Sequence, residues 1–265
     1  NKILGIYIQK FLPIFLGILL YSKNKLTKFD YLIILLLIIL TLLSFSRTSI
    51  ILLIIFFVLF YISFSEIRMQ LKKFSLVFFI FIFSILPFTD FQQQIKKTFR
   101  QLSSEGSFNL YPDHYLGHYN TALKMIYDKP FLGTGPDTFK ELCSKENYRY
   151  FYDKKFHEDL NQIVYIDSCS THPHHYYIQI FAESGLFAFL LLCIFYLFFI
   201  REFIKLFIIN NSLSRNPLYK ISIITILCNF FPLAPTPDFY NTQINALIYL
   251  PIIFFIYFKY IKKYI

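Results

Sequence analysis

The sequence predicts an all-α integral membrane protein, a polytopic helix bundle with one long structured loop outside the cytoplasm. Three observations carry that prediction. The 265 residues are 56% hydrophobic, with 35 Phe and no Trp, and the mean hydropathy is +0.50, a membrane-protein composition. Seven apolar runs recur along the chain, each bounded by polar flanks. Charge is distributed asymmetrically: the segments 22–30, 65–73, 201–220 and 259–265 hold thirteen Lys and Arg, whereas 89–175 holds ten basic and eleven acidic residues. The positive-inside rule places the four basic segments in the cytoplasm and 89–175 on the opposite side. The formal net charge of +10 is then a topology signal, and no nucleic-acid partner is expected; the bilayer is.

Taken in order, the first run covers 3–21 and is interrupted by Gln9, Lys10 and Pro13. Runs at 31–45 and 49–64 follow, separated only by Ser-Arg-Thr-Ser at 46–49, and a fourth spans 74–88. Each is short against the ~20 residues a bilayer needs, so each must recruit its polar flanks. Residues 1–88 are thus expected to form four transmembrane helices, 89–175 the external loop, and 176–265 three more helices, at 176–200, 221–233 and 244–258. Within the loop, Phe91, Ile95, Phe99 and Leu102 share one face of a predicted amphipathic helix, as do Tyr119, Leu123, Ile126 and Tyr127 of a second. The Gly- and Pro-rich stretch Lys129–Cys143 reads as a turn followed by a short helix. No flexible linker divides the chain, so 1–265 is expected to be one membrane domain. Asn1 stands beside an apolar run, which suggests helices upstream.

The stretch Ser168–Phe187 organises the chemistry. It carries His172, His174 and His175, then runs into the apolar segment that continues to Ile200. Pro173 suits the first position of a helix capped by Thr171 or His172, which predicts His174 and His175 in its first turn. His175, Gln179 and Glu183, spaced by four, would share a face. Ionisable groups at membrane depth must face a protein interior or a watery cleft. The bland alternative is a wet helix cap with satisfied polar groups; three histidines and a carboxylate on one helix favour a site. The histidines lack the i, i+4 spacing of a helical zinc pair and no CxxC occurs, so no metal is expected. Cys143 and Cys169 are disulfide candidates in the external loop, whereas Cys193 and Cys228 read as core residues. Gly133-Thr134-Gly135 lacks the Lys-Ser/Thr of a phosphate loop and reads as a tight turn. Arg47, between two apolar runs, is either a snorkelling end residue or a bidentate phosphate ligand. Lys10 and Arg100 are candidates to add positive charge.

Three ordered motifs, SFSRTS at Ser44–Ser49, DKPFLGTGPDTF at Asp128–Phe139 and HPHHYYIQIFAESGLFAF at His172–Phe189, resemble those of the O-antigen ligase and O-antigen polymerase family. The resemblance implies a bundle of around a dozen helices, of which this chain would carry about seven. It implies a cofactor-free, metal-independent enzyme of the bacterial inner membrane. Such an enzyme moves a glycan from an undecaprenyl-diphosphate carrier to an acceptor hydroxyl at the periplasmic face. The acceptor is lipid A–core in ligases, another glycan repeat in polymerases and a protein hydroxyl in a related branch. By motif position, Arg47 matches a diphosphate-binding arginine and His174 the histidine that activates the acceptor. His172 and His175 are expected to orient groups or bind diphosphate, with Gln179 and Glu183 beside them. Lys10 stands in for an arginine of the preceding helix, and Arg100 or His118 for an arginine of the loop. The sequence departs from the family where His175 replaces the usual Asn and Ala188 the usual Gly. The competing readings are a flippase or transporter of lipid-linked glycans, and a non-catalytic partner in an envelope complex.

Overall fold

The computed structural model describes residues 2–23, 26–64, 103–104, 107–108, 113–157, 162–208 and 212–262. The fourth apolar run at 74–88, the predicted amphipathic helix bearing Phe91 to Leu102, and Arg100 lie outside the described residues. Helices α1 (Lys2–Ser22), α2 (Lys28–Leu43), α3 (Arg47–Ser63), α6 (Tyr176–Ile208), α8 (Pro217–Asn229) and α9 (Thr242–Ile256) occupy the other apolar runs. Among the described residues three helical segments, Lys2–Ser22, Tyr176–Ile208 and Thr242–Ile261, are long and apolar enough to cross a membrane; α3 and α8 are shorter apolar helices. Between α3 and α6 the described residues hold strands as well as helices. Among them are α4 (Asp113–Asp128) and α5 (Phe139–Leu142), and two antiparallel pairs, β1 (Ser103–Ser104) with β2 (Ser107–Phe108) and β3 (Phe151–His157) with β4 (Gln162–Asp167). A short helix, α7 (Ser212–Arg215), precedes α8, and a π-helical turn at Tyr257–Ile261 ends α9.

The chain divides into two compact units: one comprises Asn1–Gln92, Tyr196–Phe231 and Thr242–Ile265, the other Gln93–Phe195 and Pro232–Asn241. In the first, α8 is buried along nearly its whole length and packs against α1, α3 and α9. Leu12, Phe56, Phe60, Ile221 and Ile224 form the centre of this core. Large apolar side chains such as Leu32, Leu36, Ile51, Ile54, Val58 and Ile253 face outward, the pattern of helices whose solvent is lipid. Local chemistry sets the helix ends. Thr27 and Asp30 form a reciprocal capping box at the start of α2, with Lys23 on the Asp30 carboxylate at 2.9 Å. Asn216 caps α8, whose first residue is Pro217. Glu202, buried on α6, is paired with Lys259 at 2.7 Å and Lys205 at 2.9 Å and accepts from the Tyr219 hydroxyl at 3.3 Å. A buried carboxylate requires such partners.

In the second unit, Ala122, Met125 and Ile126 of α4 pack with Phe139, Cys143, Tyr148 and Ala182. The predicted face of α4 needs correcting. Tyr119 and Ile126 are buried, but Leu123 and Tyr127 are exposed, Tyr127 by 82%. The inward stripe runs through His118, Tyr119, Ala122, Met125 and Ile126, so small and polar residues, to which an apolar-only count is blind, set its direction. Cys143 and Cys169 are joined by a disulfide across a sequence separation of 26. Cys228 is buried in the helical core, and Cys193 is half-buried.

Candidate functional site

The histidine segment does not begin the helix as its sequence predicts. α6 starts at Tyr176, and Pro173 lies outside it. His175 takes the capping position: its carbonyl accepts from Gln179 N–H at 2.8 Å, and its Nδ1 accepts from Ile178 N–H at 3.4 Å. His174 precedes the helix with φ of 56°, a left-handed conformation rare for a residue with a side chain. The cause is the loop 232–241. Thr236 N–H donates to the His174 carbonyl at 2.9 Å, drawing that carbonyl away from the helix direction.

That loop grips the segment at four further points. His175 Nε2 donates to the Pro232 carbonyl at 2.8 Å. Gln179 donates from Nε2 to Asp238 Oδ1 at 2.7 Å and accepts at Oε1 from Phe239 N–H at 3.0 Å, so both ends of its amide are engaged. The Ser184 and Tyr240 hydroxyls meet at 3.0 Å. Sequence reasoning passed over this loop. Its only outward signal was an Asp between a Pro and two aromatic residues, at Pro237–Tyr240.

The glycine-bearing motif stretches are each other's binding partners. Thr134 N–H and Gly135 N–H donate to the Ala182 and Glu183 carbonyls at 3.0 and 2.9 Å, and Leu186 N–H donates to Pro130 O at 2.9 Å. A Cβ on Gly133 would collide with the Glu183 backbone, and one on Gly185 with the Phe131 carbonyl; both have positive φ, 71° and 78°. Gly185 also breaks α6 into two helical stretches, 176–184 and 186–208. Glu183 Oε1 accepts from Phe139 N–H at 2.7 Å, capping α5, while its Oε2 is buried without a hydrogen-bond partner among the described residues.

Around His174 the rings gather closely. Its centroid lies 4.0 Å from that of His172, 5.4 Å from His118 and 5.4 Å from Tyr115. His118 Nδ1 lies 2.6 Å from the Ser168 carbonyl; a carbonyl only accepts, so Nδ1 carries the proton. His172 contacts Thr171 Oγ1 through Nδ1 at 2.9 Å. Burial pushes the pKa of His118, His172 and His175 below the ordinary histidine value. The Ser168 carbonyl opposes it at His118, Asp238 and the Thr236 backbone at His172, and the Pro232 carbonyl at His175. His174 is half-buried, whereas His118, His172 and His175 are buried. Its Nε2 approaches Ser170 Oγ at only 3.4 Å.

The other unit carries two of the sequence-predicted residues. Arg47 opens α3 after a turn in which Phe45 is left-handed, φ 52°, and the Ser46 and Ser49 hydroxyls meet at 2.7 Å. Arg47 is half-buried, with no carboxylate in ion-pair range among the described residues. Lys10 is buried inside α1, its Nζ 3.4 Å from Asn229 Oδ1. No group of three or more His, Cys, Asp or Glu suited to hold a metal ion occurs among the described residues.

A family model described as O-antigen ligase matches residues 32–193, more than half of the chain. No curated protein and no solved structure is similar enough to count as a match.

Proposed function

This chain belongs to the O-antigen ligase family, and on that premise we propose that it transfers a glycan from an undecaprenyl-diphosphate carrier to an acceptor hydroxyl at the periplasmic face of the inner membrane. Seven membrane crossings, with 89–175 outside the cytoplasm, follow from the charge asymmetry under this reading. The observation that carries the chemistry is the division of labour among the histidines. His175 spends both ring nitrogens on the Pro232 carbonyl and the Ile178 N–H. His118 spends Nδ1 on Ser168. His174 is the half-exposed member, held in a strained backbone conformation by the Thr236 bond; such strain clusters at working sites.

In the proposed mechanism, His174 takes the proton of the acceptor hydroxyl as that oxygen attacks the anomeric carbon. The bond from that carbon to the diphosphate breaks, and the lipid diphosphate leaves with its electron pair. A histidine is suited to this because it exchanges protons near neutral pH. Arg47 is assigned to the diphosphate, since a guanidinium offers two parallel N–H donors to phosphate oxygens and fixed positive charge as the leaving group gains electrons. Lys10 is assigned supporting positive charge, His172 and His118 the orientation of the His174 ring. The acceptor is a sugar hydroxyl, of lipid A–core or of another glycan.

The test is transfer by the full-length protein in detergent or liposomes, from an undecaprenyl-diphosphate-linked glycan to a lipid A–core or glycan acceptor. Product that depends on His174 is expected. Movement of the donor across a liposome membrane with no covalent product would replace the transferase by a flippase.

A further inference from the structure

The glycine turn at 130–135 is fixed to α6 at a definite height. Thr134 N–H and Gly135 N–H hold the Ala182 and Glu183 carbonyls at 3.0 and 2.9 Å, and Leu186 N–H holds the Pro130 carbonyl at 2.9 Å. Both segments belong to the same compact unit. α6 carries no charged residue from Ser184 to Ile200; Arg201, Glu202 and Lys205 then follow. A hydrocarbon core takes up ~20 residues of helix. Counted back from Arg201–Lys205, that length ends near Glu183 to Gly185. The turn is bonded to α6 at this level, where acyl chains give way to headgroups.

What the turn exposes suits that level. Phe131 and Leu132, adjacent at its tip, are 61% and 82% exposed, and Tyr127, at the end of α4, stands out as far as Leu132. A single outward Leu means little, whereas large apolar side chains grouped on one short segment mark a contact surface. The surface also continues onto α6. The Phe131 carbonyl lies against Gly185, two residues before Phe187, and Phe187, Leu190, Leu191 and Ile194 all face outward. Lys129 is exposed between Tyr127 and Phe131, and its acidic neighbour Asp128 is engaged by the Tyr148 hydroxyl.

We propose that Tyr127, Phe131 and Leu132 form an interfacial anchor that enters the lipid leaflet at the Gly185 end of α6. The glycine turn, which the sequence assigns to a loop outside the membrane, is then a membrane-contact element. Lipid is the occupant because the apolar surface of the turn joins that of a membrane-crossing helix at the hydrocarbon boundary. Aromatic rings favour this level, and an amphipathic element there sits about 5–10 Å into the headgroup–acyl boundary. Lys129 can lay its stem along the apolar surface and reach headgroup phosphates. The inference rests on α6 crossing the membrane and is independent of the transfer chemistry.

The experiment places the full-length protein in phosphatidylcholine liposomes and reads an introduced tryptophan. This chain has no Trp, so the emission of each variant is taken as its difference from the parent protein. Leu132→Trp and Tyr127→Trp are the test positions. Leu191→Trp, about 9 Å farther along α6, reports the lipid-facing helix. Lipids brominated near the headgroup end of the acyl chain are expected to remove about half or more of the emission at both test positions, as suits an interfacial depth. Lipids brominated near the chain end should quench them less and Leu191→Trp more, and aqueous iodide should leave all three bright. Phe131→Trp gives the same reading if either test substitution lowers the melting temperature. The proposal is overturned if iodide quenches the test positions while Leu191→Trp stays shielded, because the turn then stands in water. Quenching by neither bromolipid nor iodide overturns it as well, because a protein segment then covers the surface. No readout here depends on transfer, so an inactive preparation that gives the expected quenching sinks the catalytic reading alone.

Discussion

His174 and His175 are adjacent in sequence, and the structure separates their consequences sharply enough to measure. Replacing His174 by alanine removes the proposed general base. Such losses cost ~10²–10⁴ in rate, about 2.7–5.5 kcal/mol of barrier. His174 is half-buried and precedes the helix rather than packing within it, so the variant should insert, fold and bind the donor. His175→Asn is the opposite case. Asparagine is among the best helix caps, and its side-chain oxygen can take over the Ile178 N–H that His175 Nδ1 now meets at 3.4 Å. What it gives up is the 2.8 Å bond from Nε2 to the Pro232 carbonyl, about 1 kcal/mol of stability. The expected result is a lower melting temperature with transfer within about tenfold of wild type. The assay pairs single-turnover transfer from the lipid-linked donor with thermal unfolding and donor binding in detergent. If His174→Ala turns over like the wild type while His175→Asn folds but is inactive, the base is the capping histidine and the assignment fails.

Arg47→Lys is expected to lose transfer nearly as fully as Arg47→Ala, since an ammonium cannot reproduce bidentate geometry; an active alanine variant removes Arg47 from the site. The double variant Cys143→Ser, Cys169→Ser opens a loop of 26 residues, worth about 3.5 kcal/mol in the chain-entropy account, and a melting temperature unchanged by it or by reductant would contradict that. Gly185→Ala places a side chain at φ 78°, ψ −175° against the Phe131 carbonyl; it should cost of order 1–3 kcal/mol from backbone strain alone, read as a melting shift that Phe187→Ala, at an exposed position, does not show. His118, His172 and His175 have pKa values lowered from 6.5 by burial. At each of these three positions the unfolded chain binds the proton more readily, so the histidine's contribution to stability is full above about pH 6.5 and is lost on acidification below it. His175→Asn, which removes one of these groups, should lose less melting temperature than the wild type between pH 7 and pH 5; an equal or larger loss would refute this.

Much of the helical frame was legible because apolar runs are local signals. The runs located α1, α2, α3, α6, α8 and α9, while the caps at Thr27 and Asn216 went unread. What escaped is what distant segments impose on one another. Pro173 carries the local mark of a helix start, yet the helix waits until Tyr176 because Thr236, more than sixty residues later in the chain, holds the His174 carbonyl. The direction of α4 was misjudged because Ala122 and Thr121, both wholly buried, carry no hydrophobic weight in a periodicity count. Gly133 and Gly185 were visible as motif residues, but their reason is mutual: each makes room for the other's strand of backbone. The same holds for the loop 232–241, which as a sequence is only a Pro-rich connection. Placed against the histidines, it decides the tautomer of His175 through Pro232 and the backbone of His174 through Thr236. It also engages both ends of the Gln179 amide. A site built in this way spreads its information over segments whose individual patterns are ordinary, which is why the ordered motifs pointed to its chemistry while the residues that shape it stayed hidden.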